Sequence, residues 1–136
     1  MALYHFTDPR NIPSIRKHGL LSWRRLADRG IAHFPASSPL SRDLDERKGL
    51  ADYVRLALRP EHPMAWRAVH EGRIEEFVWL KVDRTVMRFG ALFSDKNAAA
   101  TDATIDSNWS TALKSDDPQA EVLVPGFISP RWITFP

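Results

Sequence analysis

At 136 residues the chain is sized for one domain, and its 43% apolar content, with seven Phe and five Trp, supplies a core without covalent staples. The absence of cysteine excludes disulfide frameworks, thiolate zinc sites and cysteine nucleophiles. The formal charge of +2 hides an uneven balance: twelve Lys and Arg against seven Asp and Glu in residues 1–67, and seven against ten in residues 68–136. Such a balance permits a nucleic-acid partner without demanding one, since a solvated charged surface is the simpler explanation.

Leu3-Tyr4-His5-Phe6 reads as a first strand. Thr7, Asp8 and Pro9 then predict a helix entry, with a helix over about residues 9–18 closed by Gly19. A second short helix is expected over residues 24–29, and residues 33–49 are rich in turn formers and read as irregular. Residues 53–58 read as a strand and 64–71 as a helix ending at Gly72. Residues 75–82 give the clearest strand signal, with an apolar middle that predicts burial on both faces. A short strand at 91–94, a helical turn at 97–101, a polar loop at 105–118 and strands at 119–124 and 131–135 complete the order. Helices early and strands throughout predict an α+β fold on an antiparallel or mixed sheet. The start lacks a basic segment followed by a long apolar run, and no stretch approaches membrane-span length, so a cytoplasmic protein is expected.

The five histidines show no metal-ligand spacing, and neither a phosphate loop nor a Gly-rich dinucleotide fingerprint is present. Two polar residues stand out because strands surround them. His5 lies between Tyr4 and Phe6; alone, such a histidine is most simply a hydrogen-bonded core or edge residue. Glu121 sits in Ala120-Glu121-Val122-Leu123-Val124, and is either solvent-facing on an edge or held in a cleft for a polar or cationic ligand. Arg42, Arg47 and Lys48 form a mixed-charge stretch of the kind usually solvated. Phe34, Trp66 and Trp109 offer stacking surfaces, with core packing the expectation for at least two of them.

Taken in order, these segments resemble the DarT family of bacterial DNA ADP-ribosyltransferases. The resemblance runs through Leu3-Tyr4-His5-Phe6-Thr7 with Asn11-Ile12, Ile15 and Gly19-Leu20, then Arg47, Asp52-Tyr53-Val54 and Pro63-Met64. Phe93-Ser94-Asp95-Lys96-Asn97-Ala98-Ala99 and Gln119-Ala120-Glu121-Val122-Leu123-Val124 complete it across nearly the whole chain. The resemblance implies one ADP-ribosyltransferase-like domain over residues 1–136, a split β core with small flanking helices. NAD would be the co-substrate, lying in a crevice between two small sheets, with no metal. It implies modification of a base in nucleic acid, single-stranded DNA above all, with release of nicotinamide, in a toxin or phage-defence role countered by a macrodomain antitoxin. By position, Glu121 would be the catalytic glutamate and Arg47 the catalytic arginine, with Arg42 the alternative. His5, Thr7, Asn11 and Tyr53 would bind NAD. The alternative is a catalytically weak or inactive relative that binds NAD or nucleic acid. The chain is shorter than typical members, and its Ser115-Asp116-Asp117-Pro118-Gln119 segment is acidic where the family is basic, which disfavours a phosphate backbone there.

Overall fold

A computed structural model describes residues 2–136. β1 (Ala2–Thr7) leads through a 3-10 turn at Pro9–Asn11 into α1 (Ile12–His18). The Asp8 carboxylate accepts from the Arg10 amide at 2.8 Å, and Pro9 takes a position whose amide would have no partner. Gly19 ends α1 at φ +80°, where a Cβ would stand 2.2 Å from the Ile128 carbonyl oxygen, so conformation and space both require glycine. β2 (Leu20–Leu21) and α2 (Trp23–Asp28) follow, the latter capped by Ser22.

α3 (Pro39–Arg47) occupies the stretch expected to be irregular. The Ser38 hydroxyl accepts from the Ser41 amide at 3.1 Å with Pro39 in the first turn, a helix start masked in the sequence by surrounding turn formers. β3 (Tyr53–Ala57), α4 (Pro63–His70) and β4 (Val78–Asp83) come next. β4 is not buried on both faces: Leu80 and Val82 are buried while Lys81 and Asp83 are exposed. A 3-10 segment at Arg84–Arg88, β5 (Leu92–Ser94) and β6 (Ile105–Asp106) precede α5 (Ser110–Leu113), so the expected polar loop carries a strand and a helical turn. β7 (Glu121–Pro125), β8 (Phe127–Ile128), a 3-10 turn and β9 (Ile133–Thr134) close the chain.

Seven strands form one sheet in the order β6-β5-β7-β3-β1-β4-β9, and β2 pairs with β8 in a second. All pairings are antiparallel, but they are unequal in length. β1 matches β4 from Ala2↔Asp83 to Thr7↔Val78, and β3 matches β7 from Tyr53↔Pro125 to Ala57↔Glu121. Between these ladders β1 meets β3 only at Tyr4↔Ala57. The sheet is therefore two ladders joined at a seam. The main core lies beneath both, built from Leu3, Leu56, Leu80, Val82, Val122 and Val124. The opposite face of β1 and β4 carries an edge-to-face ring cluster of Tyr4, Phe6, Phe77 and Trp79, with Trp66 of α4 against Phe77 at 4.9 Å.

Candidate active site

A crevice of about 220 Å³ opens at the seam, walled largely by apolar groups. His5 and Thr7 reach it from β1, Tyr53 and Arg55 from β3, and Glu121 from β7. Glu121 starts β7 between Ala57 of β3 and Ser94 of β5, so its backbone is held by strands on both sides. Only 5% of it is exposed, a burial that a carboxylate tolerates only with strong partners. Its Oε1 accepts from Arg55 Nη2 at 2.6 Å and from the Ala98 amide at 2.8 Å, and its Oε2 accepts from Arg55 Nε at 3.2 Å. This two-pronged contact fixes the carboxylate in orientation as well as position.

The same guanidinium reaches a second buried carboxylate. Arg55 Nη1 donates to both oxygens of Asp45 on α3, at 3.2 and 3.3 Å, while Nη2 also donates to Asn97 Oδ1 at 2.6 Å. Burial opposes the charged guanidinium, but Glu121 and Asp45 outweigh it and hold Arg55 above the ordinary arginine range. Burial raises the Asp45 carboxyl above its ordinary value, the Arg55 charge pulling it back and the Glu121 charge adding to the rise.

Two histidines flank the pair in fixed tautomers. His5 Nδ1 lies 3.1 Å from the Arg55 carbonyl oxygen. A carbonyl only accepts, so Nδ1 carries the proton, and in the neutral ring Nε2 is an acceptor. His62 Nδ1 accepts from the Met64 amide at 3.2 Å, capping α4, so its Nε2 carries the proton. That N–H stands 3.7 Å from Glu121 Oε2, faces the Gln119 carbonyl and belongs to a residue 2% exposed. Burial lowers the pKa of both histidines.

The segment before α5 supplies the anchor for Glu121. Asn97 Oδ1 accepts from the Ala99 amide at 2.9 Å, and Asn97 Nδ2 donates to Gln119 Oε1 at 3.2 Å. Lys48 Nζ donates to the Ala98 carbonyl at 2.7 Å and to the Ala100 carbonyl. The acidic approach to β7 has a local purpose, since Asp117 Oδ1 accepts from the Gln119 amide at 2.8 Å and shapes the turn.

His5, Thr7, Asn11, Tyr53 and Glu121 all line the crevice. Asn11 does so with its amide committed: Oδ1 accepts from the Phe34 amide at 2.8 Å, and Nδ2 donates to the Phe34 carbonyl at 2.8 Å and to Thr7 Oγ1 at 3.1 Å. Arg47 is elsewhere. It pairs with Asp43 at 3.0 Å on the outer side of α3, 74% of its side chain exposed, and neither it nor Arg42 lines the crevice. The guanidinium at Glu121 belongs to Arg55, a charged residue within an apolar strand and outside the segments that resemble the family. The signal was present: a lone charge between Val54 and Leu56, the same pattern that singled out His5 and Glu121. Phe34, Trp66 and Trp109 are 43%, 66% and 55% exposed, so none is a core residue. Phe34 alone of the three lines the crevice, with the Arg10 guanidinium 3.8 Å above its ring. Among the described residues no group of three or more His, Asp or Glu could hold a metal ion, and no helix is long and apolar enough to cross a membrane.

A sequence model of the DarT family, described as ssDNA thymidine ADP-ribosyltransferase, matches residues 4–116. A fusion protein of Thermosipho africanus (strain H17ap60334), a DNA ADP-ribosyl transferase joined to a DNA ADP-ribosyl glycohydrolase, is 27% identical over 158 residues, covering 97% of this chain and 41% of the fusion. The solved structure of Thermosipho africanus DarTG in complex with ADP-ribose aligns with a TM-score of 0.80 at 25% identity, over 98% of this chain and 42% of that one. Thermus sp. 2.9 DarT in complex with carba-NAD+ aligns with a TM-score of 0.65 at 19% identity, over 93% of this chain and 76% of that one. The same Thermus protein in complex with ADP-ribosylated ssDNA gives 0.59. At that identity the Thermus structures bear on the fold alone, an ADP-ribosyltransferase fold of mixed helix and antiparallel sheet. The chain spans about two fifths of the length of the curated relative it matches.

Proposed function

We propose, because the chain belongs to the DarT family of ssDNA thymidine ADP-ribosyltransferases, that it transfers ADP-ribose from NAD to a base of single-stranded DNA and releases nicotinamide. The observation that carries this reading is Glu121, a carboxylate buried at a crevice and clamped in one orientation by Arg55 and the Ala98 amide. The family match ends at residue 116, so the role of Glu121 rests on that geometry.

The chemistry asks for such a group. The bond between ribose C1′ and the nicotinamide nitrogen breaks, and its electron pair leaves with nicotinamide, which departs neutral. Positive charge develops on the ribose, and the carboxylate stabilises it by electrostatic attraction set up in advance. The base supplies the electron pair of the new bond to C1′, and the proton it loses passes to water. A target base must stand clear of a stack to reach the crevice, which favours a single strand.

In this reading Glu121 is the catalytic carboxylate, and Arg55, in place of Arg47 or Arg42, is the arginine that positions it. Neutral His5 presents its Nε2 acceptor to a ribose hydroxyl. Thr7 and Tyr53 line the same pocket, and Asn11 acts through the Phe34 loop that it pins. A DNA ADP-ribosyl glycohydrolase would reverse the product, so a macrodomain antitoxin is the proposed partner. Purified protein is to be incubated with NAD and thymine-containing single-stranded oligonucleotides, following nicotinamide and adduct mass. The expected result is an ADP-ribosylated oligonucleotide, with release slowed about 10²–10³-fold in Glu121→Gln. NAD binding without adduct or release in any oligonucleotide would sink the enzymatic reading.

A further inference from the structure

Asp45 holds a position in the crevice that the reaction as described leaves unused. It lies on α3, is 4% exposed and lines the same crevice as Glu121. The two carboxylates share one guanidinium unequally. Glu121 takes two nitrogens of Arg55, at 2.6 and 3.2 Å, and adds the Ala98 amide. Asp45 takes a single nitrogen, split between its oxygens at 3.2 and 3.3 Å, which is long for a charge-assisted bond. The fixed charges on the crevice wall are Asp45, Arg55 and Glu121, and Lys48, whose charge also acts on Asp45, spends its ammonium on the carbonyls of Ala98 and Ala100. Two carboxylates against one guanidinium leave one unit of negative charge over, and burial disfavours the charged form of His5 and His62 at the same wall. The rest of the wall is mostly apolar, so water screens that charge poorly.

We propose that Asp45 is a specificity-determining residue: its carboxylate, left uncompensated by Arg55, gives the crevice a net negative charge that selects the cationic, oxidised nicotinamide ring over the neutral, reduced one. The inference rests on the NAD reading and deepens it. The charge would serve twice, because the positive charge of the pyridinium ring passes to the ribose as the glycosidic bond breaks. A site with one carboxylate and one guanidinium would be neutral and would hold oxidised and reduced dinucleotide alike.

The test compares the binding of carba-NAD+, which keeps the pyridinium charge and resists cleavage, with that of NADH. Wild type, Asp45→Asn and Asp45→Glu are each titrated by calorimetry after thermal unfolding has verified the fold. The wild type is expected to prefer carba-NAD+ by at least about tenfold. Asp45→Asn should bring that ratio to within about threefold, mainly by weakening carba-NAD+, and Asp45→Glu should restore it. Comparing ratios between proteins cancels whatever intrinsic difference separates the two ligands. Equal weakening of both ligands in Asp45→Asn, or a wild type without preference, overturns the inference and leaves the NAD reading standing. A wild type that binds neither dinucleotide overturns the NAD reading, and the inference with it.

Discussion

Arg55 stands between Asp45 and Glu121, and its removal would leave two buried carboxylates facing each other with no counter-charge. Breaking a buried pair from one side typically costs about 3–5 kcal/mol, so Arg55→Ala should lose roughly that much in urea unfolding. Arg55→Lys keeps the charge but cannot span two carboxylates, and should fall between Ala and wild type. Asp45 pulls the other way. Burial, the largest influence on it, raises its folded-state pKa above the unfolded one, so folding favours its protonated form. The stability this gives is present below the ordinary carboxylate range and is lost as pH climbs through the folded value. Asp45→Asn should therefore melt a few degrees higher than wild type near pH 8, the gain vanishing near pH 4. Thermal melts at the two pH values check the sign. A gain in stability there, at the expense of ligand selection, is the usual tension between a strained site and a comfortable fold.

At the scale of elements, α4 begins at a residue with two duties. His62 caps the helix through Nδ1 and sets its N–H beside Glu121 through Nε2. His62→Ala should cost about 1 kcal/mol from the lost cap, and His62→Ser, which caps equally well, should recover that stability. Both variants remove the N–H at Glu121, so turnover should fall in each, and kinetics set beside melting curves separates the two duties. Local signals of this kind were legible in the sequence wherever they were contiguous. The entry and exit of α1 followed from Asp8, Pro9 and Gly19, and β1 and β7 from apolar runs around His5 and Glu121. α3 was hidden because Ser37, Ser38 and Pro39 favour turns as readily as helix starts. Arg55 was hidden for a different reason: its partners Asp45, Asn97 and Glu121 lie 10, 42 and 66 residues away, on α3, on the segment after β5 and on β7, and only the fold brings them together. Exposure of Trp66 and Trp109 was likewise invisible, because an aromatic ring looks the same in a sequence whether it fills a core or caps a sheet.

For the whole molecule the seam is the feature that matters. Two well-paired ladders meet at Tyr4↔Ala57 and at the bond from His5 to the Arg55 carbonyl, and the crevice opens there. Few hydrogen bonds cross that line, so amide exchange should be faster at the facing edges of β1 and β3 than within β1–β4 or β3–β7. A dinucleotide held from both sides should slow exchange at the seam first, and at about a hundredfold excess over its Kd should add about 2.7 kcal/mol to global stability. Uniform protection of every strand would contradict the picture of two ladders. The shared guanidinium also leaves a mark on inheritance. With Arg55 in place, loss of Asp45 is tolerable in the fold; with Asp45 and Glu121 in place, loss of Arg55 is not. Lineages descending from this chain should therefore surrender the aspartate before the arginine, and a descendant without the arginine should already carry a neutral residue at position 45.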